Sequence, residues 1–147
     1  MSVDLHATAA SLLRDADQRY TSSRRQIVRI LAEAGRPLTT AEVQAAGDRL
    51  PQSSVYRNLG VLEQAGVVRR VMAGDVARYE PAEDLTEHHH HLICTACGSV
   101  VDVTLPAAIE RRLDKAAADV AERTGFDPQA HRLDLIGRCA DCRKRRR

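Results

Sequence analysis

A chain of 147 residues with 44% hydrophobic and 29% charged side chains has the balance of a folded protein of one domain or two small ones, not of a disordered one. No apolar run approaches the ~18 to 20 residues that a membrane span needs, and the start of the chain carries no basic segment before its short apolar stretch, so the expectation is a cytoplasmic protein with no membrane partner. Aromatic residues are only 3%, which argues against an aromatic stacking platform, and the net charge of +2 is unevenly spread: residues 19–57 hold seven Arg and three acids, a pattern that points to a polyanion partner.

Along the chain, Ile27, Val28, Ile30, Leu31 and Ala34 form one face of a helix that stops at Gly35. Thr39-Thr40-Ala41-Glu42 is a capping-box pattern opening a second helix, with Val43, Ala46 and Leu50 inside. After Pro51, Ser53 can cap a third helix that turns Val55, Leu59 and Leu62 inward and ends at Gly66. Its opposite face shows Ser54, Tyr56, Arg57 and Gln64. Val67–Met72 and Val76–Glu80, joined by Ala73-Gly74-Asp75, have the pattern of a β-hairpin. Three helices and a hairpin make a winged helix-turn-helix, whose third helix lies in a major groove of double-stranded DNA. Arg19, Arg24, Arg25 and the helix N-terminus would hold phosphates, and Tyr56 and Arg57 would read base edges. The alternative is a helical bundle with solvated arginines; the hairpin after the third helix favours DNA.

The polar stretch 81–87 separates this part from one of different character, which holds all four Cys and five of the six His. Cys94, Cys97, Cys139 and Cys142 form two Cys-x-x-Cys units. Without a secretion signal, such pairs read as zinc ligands, and four thiolates leave no open position for substrate, so the site is structural. His91–Cys94 and Ser99–Val103 are expected strands around the turn Cys94-Thr95-Ala96-Cys97-Gly98. A long helix follows, opened by Thr104 with Pro106 in its first turn and closed by Gly125, with Ile109, Leu113, Ala116 and Val120 as its buried stripe. Arg132–Ile136 is a third strand leading to the second Cys pair. The basic tail 143–147 reads as a solvated end.

His88-His89-His90-His91 on an extended strand points His88 and His90 one way and His89 and His91 the other, so the run can seed two metal sites. Glu110 and His131 could complete a shell with His88 and His90; Glu80 could join His89 and His91, with Asp102, Glu83 or Asp84 nearby. Such N/O shells suit Zn²⁺, Fe²⁺, Mn²⁺ or Ni²⁺ without choosing among them.

Thr21-x-x-Arg24, Ser54-Val55-Tyr56-Arg57-Asn58-Leu59, Ala65-Gly66-Val67-Val68, His88–Gly98 and Cys139-x-x-Cys142 together resemble the ferric uptake regulator (Fur) superfamily of metal-dependent repressors. The resemblance spans residues 12–142. It implies an α+β chain: a winged-helix DNA-binding domain (1–80), a hinge (81–87), a small metal-binding α/β dimerisation domain (88–142) and the basic tail (143–147). It implies a homodimer on a palindromic operator, with corepressor metal at the hinge. By position, the four cysteines match structural zinc. Glu80, His89, His91 and Asp102 match the regulatory site; His88, His90, Glu110 and His131 match a second site. Arg19, Thr21, Arg24, Ser54, Tyr56 and Arg57 make up the expected DNA-binding set. The chain departs from the family at the hinge: Arg36-Pro37-Leu38-Thr39-Thr40 stands where iron, peroxide and nickel sensors supply a His, and 80–87 lacks the Cys of a zinc-sensing branch, whose wing Asp is also missing beside Arg69 and Arg70. Zinc is the favoured regulatory metal, and the alternative is an iron- or peroxide-sensing regulator of the same fold. Rival classes are a zinc hydrolase, for which no His-Glu-x-x-His is present, and a zinc-storage or adaptor module. The expected role is regulatory, with no catalytic residues and no small-molecule substrate.

Overall fold

A computed structural model of the protein describes residues 4–145, so the last two residues of the basic tail lie outside it. The first element, helix α1 (Leu5–Asp15), was not foreseen from periodicity. Asp4 caps it by accepting from the His6 and Ala7 amides, and Ala9 and Leu13 are fully buried. The apolar positions Leu5, Ala9, Leu12 and Leu13 follow helical spacing, but alanines and a threonine dilute the contrast between faces.

Helix α2 (Ser22–Ala34) is capped by the Thr21 hydroxyl and buries Ile27, Val28, Ile30 and Leu31 before Gly35 turns left-handed at φ 61°. Strand β1 (Leu38–Thr39) leads into helix α3 (Thr40–Ala46), whose capping box forms as expected: the Glu42 amide donates to Thr39 Oγ1 and the Thr39 amide to Glu42 Oε2. Helix α4 (Gln52–Gln64) buries Val55, Leu59 and Leu62. It begins two residues earlier than expected, with Pro51 at the capping position, so Ser53 lies inside the first turn and caps nothing. Pro51 at φ −63° has extended ψ, and its ring leaves no amide to satisfy.

Strands β2 (Val68–Ala73) and β3 (Val76–Pro81) form the wing, and β1 adds an unforeseen third strand, in order β1-β3-β2. Two residues of β1 are too few to show an alternating pattern. A single core unites α1 to α4 with Val67, Val68, Tyr79 and Leu85, the last in a 3₁₀ turn at Glu83–Leu85.

The second sheet has β4 (His90–Cys94) at its centre, antiparallel to β5 (Val100–Val103) and parallel to β6 (Asp134–Gly137). Helix α5 (Ala107–Thr124) crosses between β5 and β6, and α6 (Ala140–Lys144) follows. Two expectations for α5 fail. Pro106, not Thr104, holds the capping position, and no residue of the helix is buried within the chain. The stripe at Ile109 and Val120 exists as a pattern, but these side chains remain 39% and 43% exposed. A small second core, Val71 and Ala73 from the wing with Ile93 and Val100 from the second sheet, docks one sheet on the other.

Arg78 on β3 reinforces that docking: one guanidinium nitrogen donates to the Gly98 carbonyl at 2.9 Å and another to Glu42 Oε2 at 3.3 Å. The turn between the first two cysteines is thereby tied to the capping box of α3.

Truncating Leu59, which is 1% exposed at the centre of the main core, is expected to cost about 2 to 5 kcal/mol. Urea unfolding of Leu59→Ala followed by circular dichroism measures it; a cost below about 1 kcal/mol would mean that the core is not organised around α4.

Candidate metal centres and nucleic-acid face

Three groups of side chains converge so that, within each, one potential ligand atom per residue lies within 4.8 Å of every other: Cys94, Cys97, Cys139 and Cys142; His88, His90, Glu110 and His131; and Glu80, His89, His91 and Asp102. These are the sets expected from the sequence.

The cysteine group is built by two turns. Cys94 ends β4, and its carbonyl accepts from the Gly98 amide at 2.9 Å, a tight turn that needs the left-handed φ of 71° at Gly98. Cys139 stands at the capping position of α6 and its amide donates to Cys94 Sγ at 3.4 Å. Thr95 ties the first turn to β6 through the Gly137 carbonyl at 2.8 Å. All four thiols are free, and Cys97 and Cys139 Sγ are 3.9 Å apart. That separation is close to the ~3.8 Å edge of a tetrahedron with ~2.3 Å Zn–S bonds and far beyond the ~2 Å of a disulfide. Amides of Cys139, Cys97 and Ala96 pull the Cys94 thiol down to about 6, while the sulfurs of Cys139 and Cys97 push Cys142 up to about 12. Four sulfurs this close resist full ionisation unless they share a cation, and the donor set fits Zn²⁺.

The other two groups follow one construction. His88 and His89 precede β4 in extended chain, and His90 and His91 open it, so alternate rings face opposite sides. On one side, His89 Nδ1 lies 2.9 Å from the Glu87 carbonyl and His91 Nδ1 lies 3.2 Å from Asp134 Oδ1. These partners only accept, so each neutral ring carries its proton on Nδ1 and aims the Nε2 lone pair inward. Both Nε2 atoms reach the buried Glu80 carboxylate at 3.1 Å. A lone pair facing a carboxylate is repulsive unless a cation lies between them. Asp102, on β5, has its oxygens 3.8 and 3.9 Å from the same two nitrogens.

On the opposite side, His90 Nε2 is 2.8 Å from Glu110 Oε1, while His88 and His131 Nε2 lie 3.5 and 3.3 Å from Glu110 Oε2. The other nitrogens of His88 and His131 are backed by Glu83 and Asp114. A ring nitrogen held from behind by an acceptor is how proteins orient imidazole for metal.

The charges of the Glu80 group are mutually coupled. Burial would raise Glu80, but bonds from His91 and His89 and the charge of Arg69 bring it down to about 2. Burial would lower His91, yet Glu80 and Asp134 raise it above its ordinary 6.5. Asp102 is raised by burial, and the Glu80 charge adds to this. Among the described residues, the buried side-chain atoms without a hydrogen-bond partner are Arg78 Nε, Asp102 Oδ1, Glu110 Oε2 and His131 Nε2. The last three belong to the two histidine groups, which therefore fit divalent cations by donor type and by orphaned lone pairs.

Sequence reasoning missed the residues that stand behind these groups. Asp114 and Asp134 carry no motif and become visible only once α5 and β6 are folded against β4. Of the acids offered as hinge candidates, Asp102 joins the cluster, whereas Glu83 serves His88 and Asp84 is exposed. Arg69 enters the Glu80 group, its Nε donating to Glu80 Oε1 at 2.5 Å.

On the winged helix, Tyr56 and Arg57 project from α4, Tyr56 58% exposed. Ser54 accepts from Asn58 Nδ2 at 3.1 Å, and Asn58 Oδ1 in turn accepts from Arg24 Nε at 3.0 Å. Arg24 also donates to the Arg19 carbonyl at 2.6 Å, and Arg25 lies over the Tyr20 ring at 4.7 Å. Arg24 and Ser54 are thus engaged in bracing α2 on α4 and Thr21 in capping α2, while Arg19, Thr21, Tyr56 and Arg57 are exposed.

Residues 15–136 match the ferric uptake regulator family. The peroxide-responsive repressor PerR of Staphylococcus epidermidis is 32% identical over 145 residues, covering 96% of this chain and 91% of the relative. The peroxide operon regulator of Bacillus subtilis is 30% identical over 141 residues, covering 93% and 92%. Among solved structures, the ferric uptake regulator of Pseudomonas aeruginosa with manganese has a TM-score of 0.68 at 32% identity, over 88% of this chain and 96% of that one.

The Cys94→Ser variant is expected to lose bound zinc and to melt at lower temperature, because the cluster links β4 to the β6–α6 turn. Metal analysis and thermal unfolding check this; full zinc retention with an unchanged Tm would reject the structural-zinc assignment.

Proposed function

This chain belongs to the ferric uptake regulator family, and on that premise we propose that it is a metal-responsive transcriptional repressor that binds a palindromic operator as a homodimer and controls metal homeostasis in the cytoplasm. It acts as a regulator and not as an enzyme. The observation that carries the proposal is the position of the Glu80 group. Glu80 belongs to the wing, whereas His91 and Asp102 belong to the second sheet and His89 to the segment that leads into it. Holding these four at one point fixes the wing against that sheet. A divalent cation supplies charge neutralisation and a cross-link there.

This chain's own residues do the rest. Glu87 and Asp134 hold both imidazoles by Nδ1 and keep Nε2 aimed inward. Val71, Ala73, Ile93 and Val100 give the two sheets a dry contact on which to close. Binding at the hinge favours operator only through differential affinity for the DNA-competent arrangement, and operator must tighten metal binding by the same factor. Residues 1–80 are assigned to DNA, 81–87 to the hinge and 88–142 to dimerisation. Val101, Leu92 and Leu135 are neighbours in register across the second sheet and all three are exposed, a ready apolar row for a second copy beside the uncovered stripe of α5.

Zn²⁺ is assigned to the cysteines. At the hinge Zn²⁺ is favoured, with Fe²⁺ as the second reading and Mn²⁺ or Ni²⁺ as further candidates. The iron reading is favoured by Asp102, which gives the hinge two carboxylates and two imidazoles with no thiolate; the two relatives named for their response to peroxide favour the peroxide-sensing alternative.

The test is binding to DNA from upstream of the protein's own coding region, with structural zinc kept and Zn²⁺, Fe²⁺ without air, or Mn²⁺ added at buffered free concentrations. One metal is expected to restore tight binding that falls steeply with salt; no response to any of them would overturn the repressor reading. His89→Ala and His91→Ala are expected to abolish that response while leaving the far-ultraviolet circular dichroism spectrum unchanged. Arg57→Ala is expected to lose about 1 to 3 kcal/mol of discrimination between operator and random DNA; equal loss on both would reject Arg57 as a base reader.

A further inference from the structure

Arg69 is a cation built into the hinge group. It sits directly opposite Glu80 in the antiparallel register of β2 and β3, so the two side chains share a face of the wing. Its Nε donates to Glu80 Oε1 at 2.5 Å, and its Nη2 lies 3.3 Å from His89 Nε2. The guanidinium is mostly shielded, with 21% of its side chain exposed against 3% for Glu80. An arginine cannot shed this charge by deprotonation.

The contact with His89 is the informative one. Because the Glu87 carbonyl holds the proton of the neutral ring on Nδ1, Nε2 has a single lone pair. That lone pair can accept from Arg69 or ligate a metal, but not both. Glu80 differs, since its two oxygens offer about four acceptor sites and Oε1 can keep Arg69 while Oε2 turns to another cation. His91 Nε2 approaches Glu80 and Asp102. The charges point the same way. Glu80 and Asp102 are the acids of the group, and Arg69 offsets one of them.

We propose that Arg69 competes with the regulatory metal for His89 Nε2 and for the charge of Glu80, and so sets the metal concentration at which the hinge site fills. This rests on the reading of Glu80, His89, His91 and Asp102 as the regulatory site. Metal entry requires the Arg69 fork to release His89 and swing toward solvent or remain on Glu80 alone. The residue thereby raises the threshold of the response.

The experiment is calorimetric titration of Mn²⁺ and of Zn²⁺ into the full chain carrying structural zinc. The hinge step is identified as the one that His89→Ala removes. Arg69→Gln is shorter, keeps one amide donor group and removes the charge, and is expected to tighten the hinge step roughly tenfold or more while leaving the remaining step unchanged. Arg69→Lys keeps the charge without the fork, and is expected to stay within about threefold of the parent. It also serves as the second variant should Arg69→Gln fold poorly: if the charge is irrelevant and only the fork competes, Arg69→Lys tightens as well, and the charge component is overturned. An Arg69→Gln hinge step equal to or weaker than the parent overturns the proposal outright, leaving Arg69 as a brace for Glu80. If the parent shows no step that His89→Ala removes, the regulatory-site reading fails, and the inference fails with it.

Discussion

A carboxylate buried at the foot of the wing governs how the two sheets of this protein relate. Glu80 is almost wholly shielded from water, and an uncompensated charge in such a place costs several kcal/mol. Its compensation comes from three directions: Arg69 across the β2–β3 ladder, His89 from the segment before β4, and His91 from β4 itself. None of these partners is close to Glu80 in sequence. Arg69 lies on the wing with Glu80, but the two histidines reach the carboxylate only when the wing and the second sheet are docked, so whatever cation the group shares becomes a term in that docking. A surface carboxylate would impose no such requirement.

The docked arrangement has little other support. The second core holds four residues, two from each sheet, and two of the four are Ala73 and the small Val100. Arg78 adds a polar clasp from the wing to the Gly98 carbonyl in the cysteine turn and to Glu42 at the start of α3. A weak interface with a few directional contacts is suited to a switch, because a coupling of a few kcal/mol is enough to move its populations. The main core, by contrast, runs from Ala9 to Leu85 and keeps the winged helix a rigid body.

The second half of the chain has the opposite character. Its histidines and cysteines are well ordered by one another, yet α5 buries nothing and the sheet presents Leu92, Val101 and Leu135 outward. So small a three-stranded sheet stapled at one end by four thiols does not need a large core of its own to hold its ligands in place. It leaves apolar surface for a partner to cover.

Local chemistry in the sequence was enough to determine the capping box at Thr39 and Glu42, the inward face of α4, the wing, the pairing of the two Cys-x-x-Cys units and the alternation of the histidine run. Except for the cysteine pairing, which follows from the four ligands that zinc takes, each of these depends on spacing within one element or hairpin, where the 3.6-residue and two-residue periods dictate which side chains share a face. Helix α1 and strand β1 were missed because a diluted stripe and a two-residue strand carry too little periodicity to read. The buried stripe expected of α5 was a correct pattern with the wrong consequence, since periodicity tells which residues want cover and not what covers them. Only the tertiary structure decided that Asp114 and Asp134 stand behind His131 and His91, that Arg24 braces Asn58, and that Arg69 joins the Glu80 group. Those choices depend on how β3, β4, β5 and β6 are laid side by side, and strand order and register are fixed by packing between distant segments, which no local pattern contains.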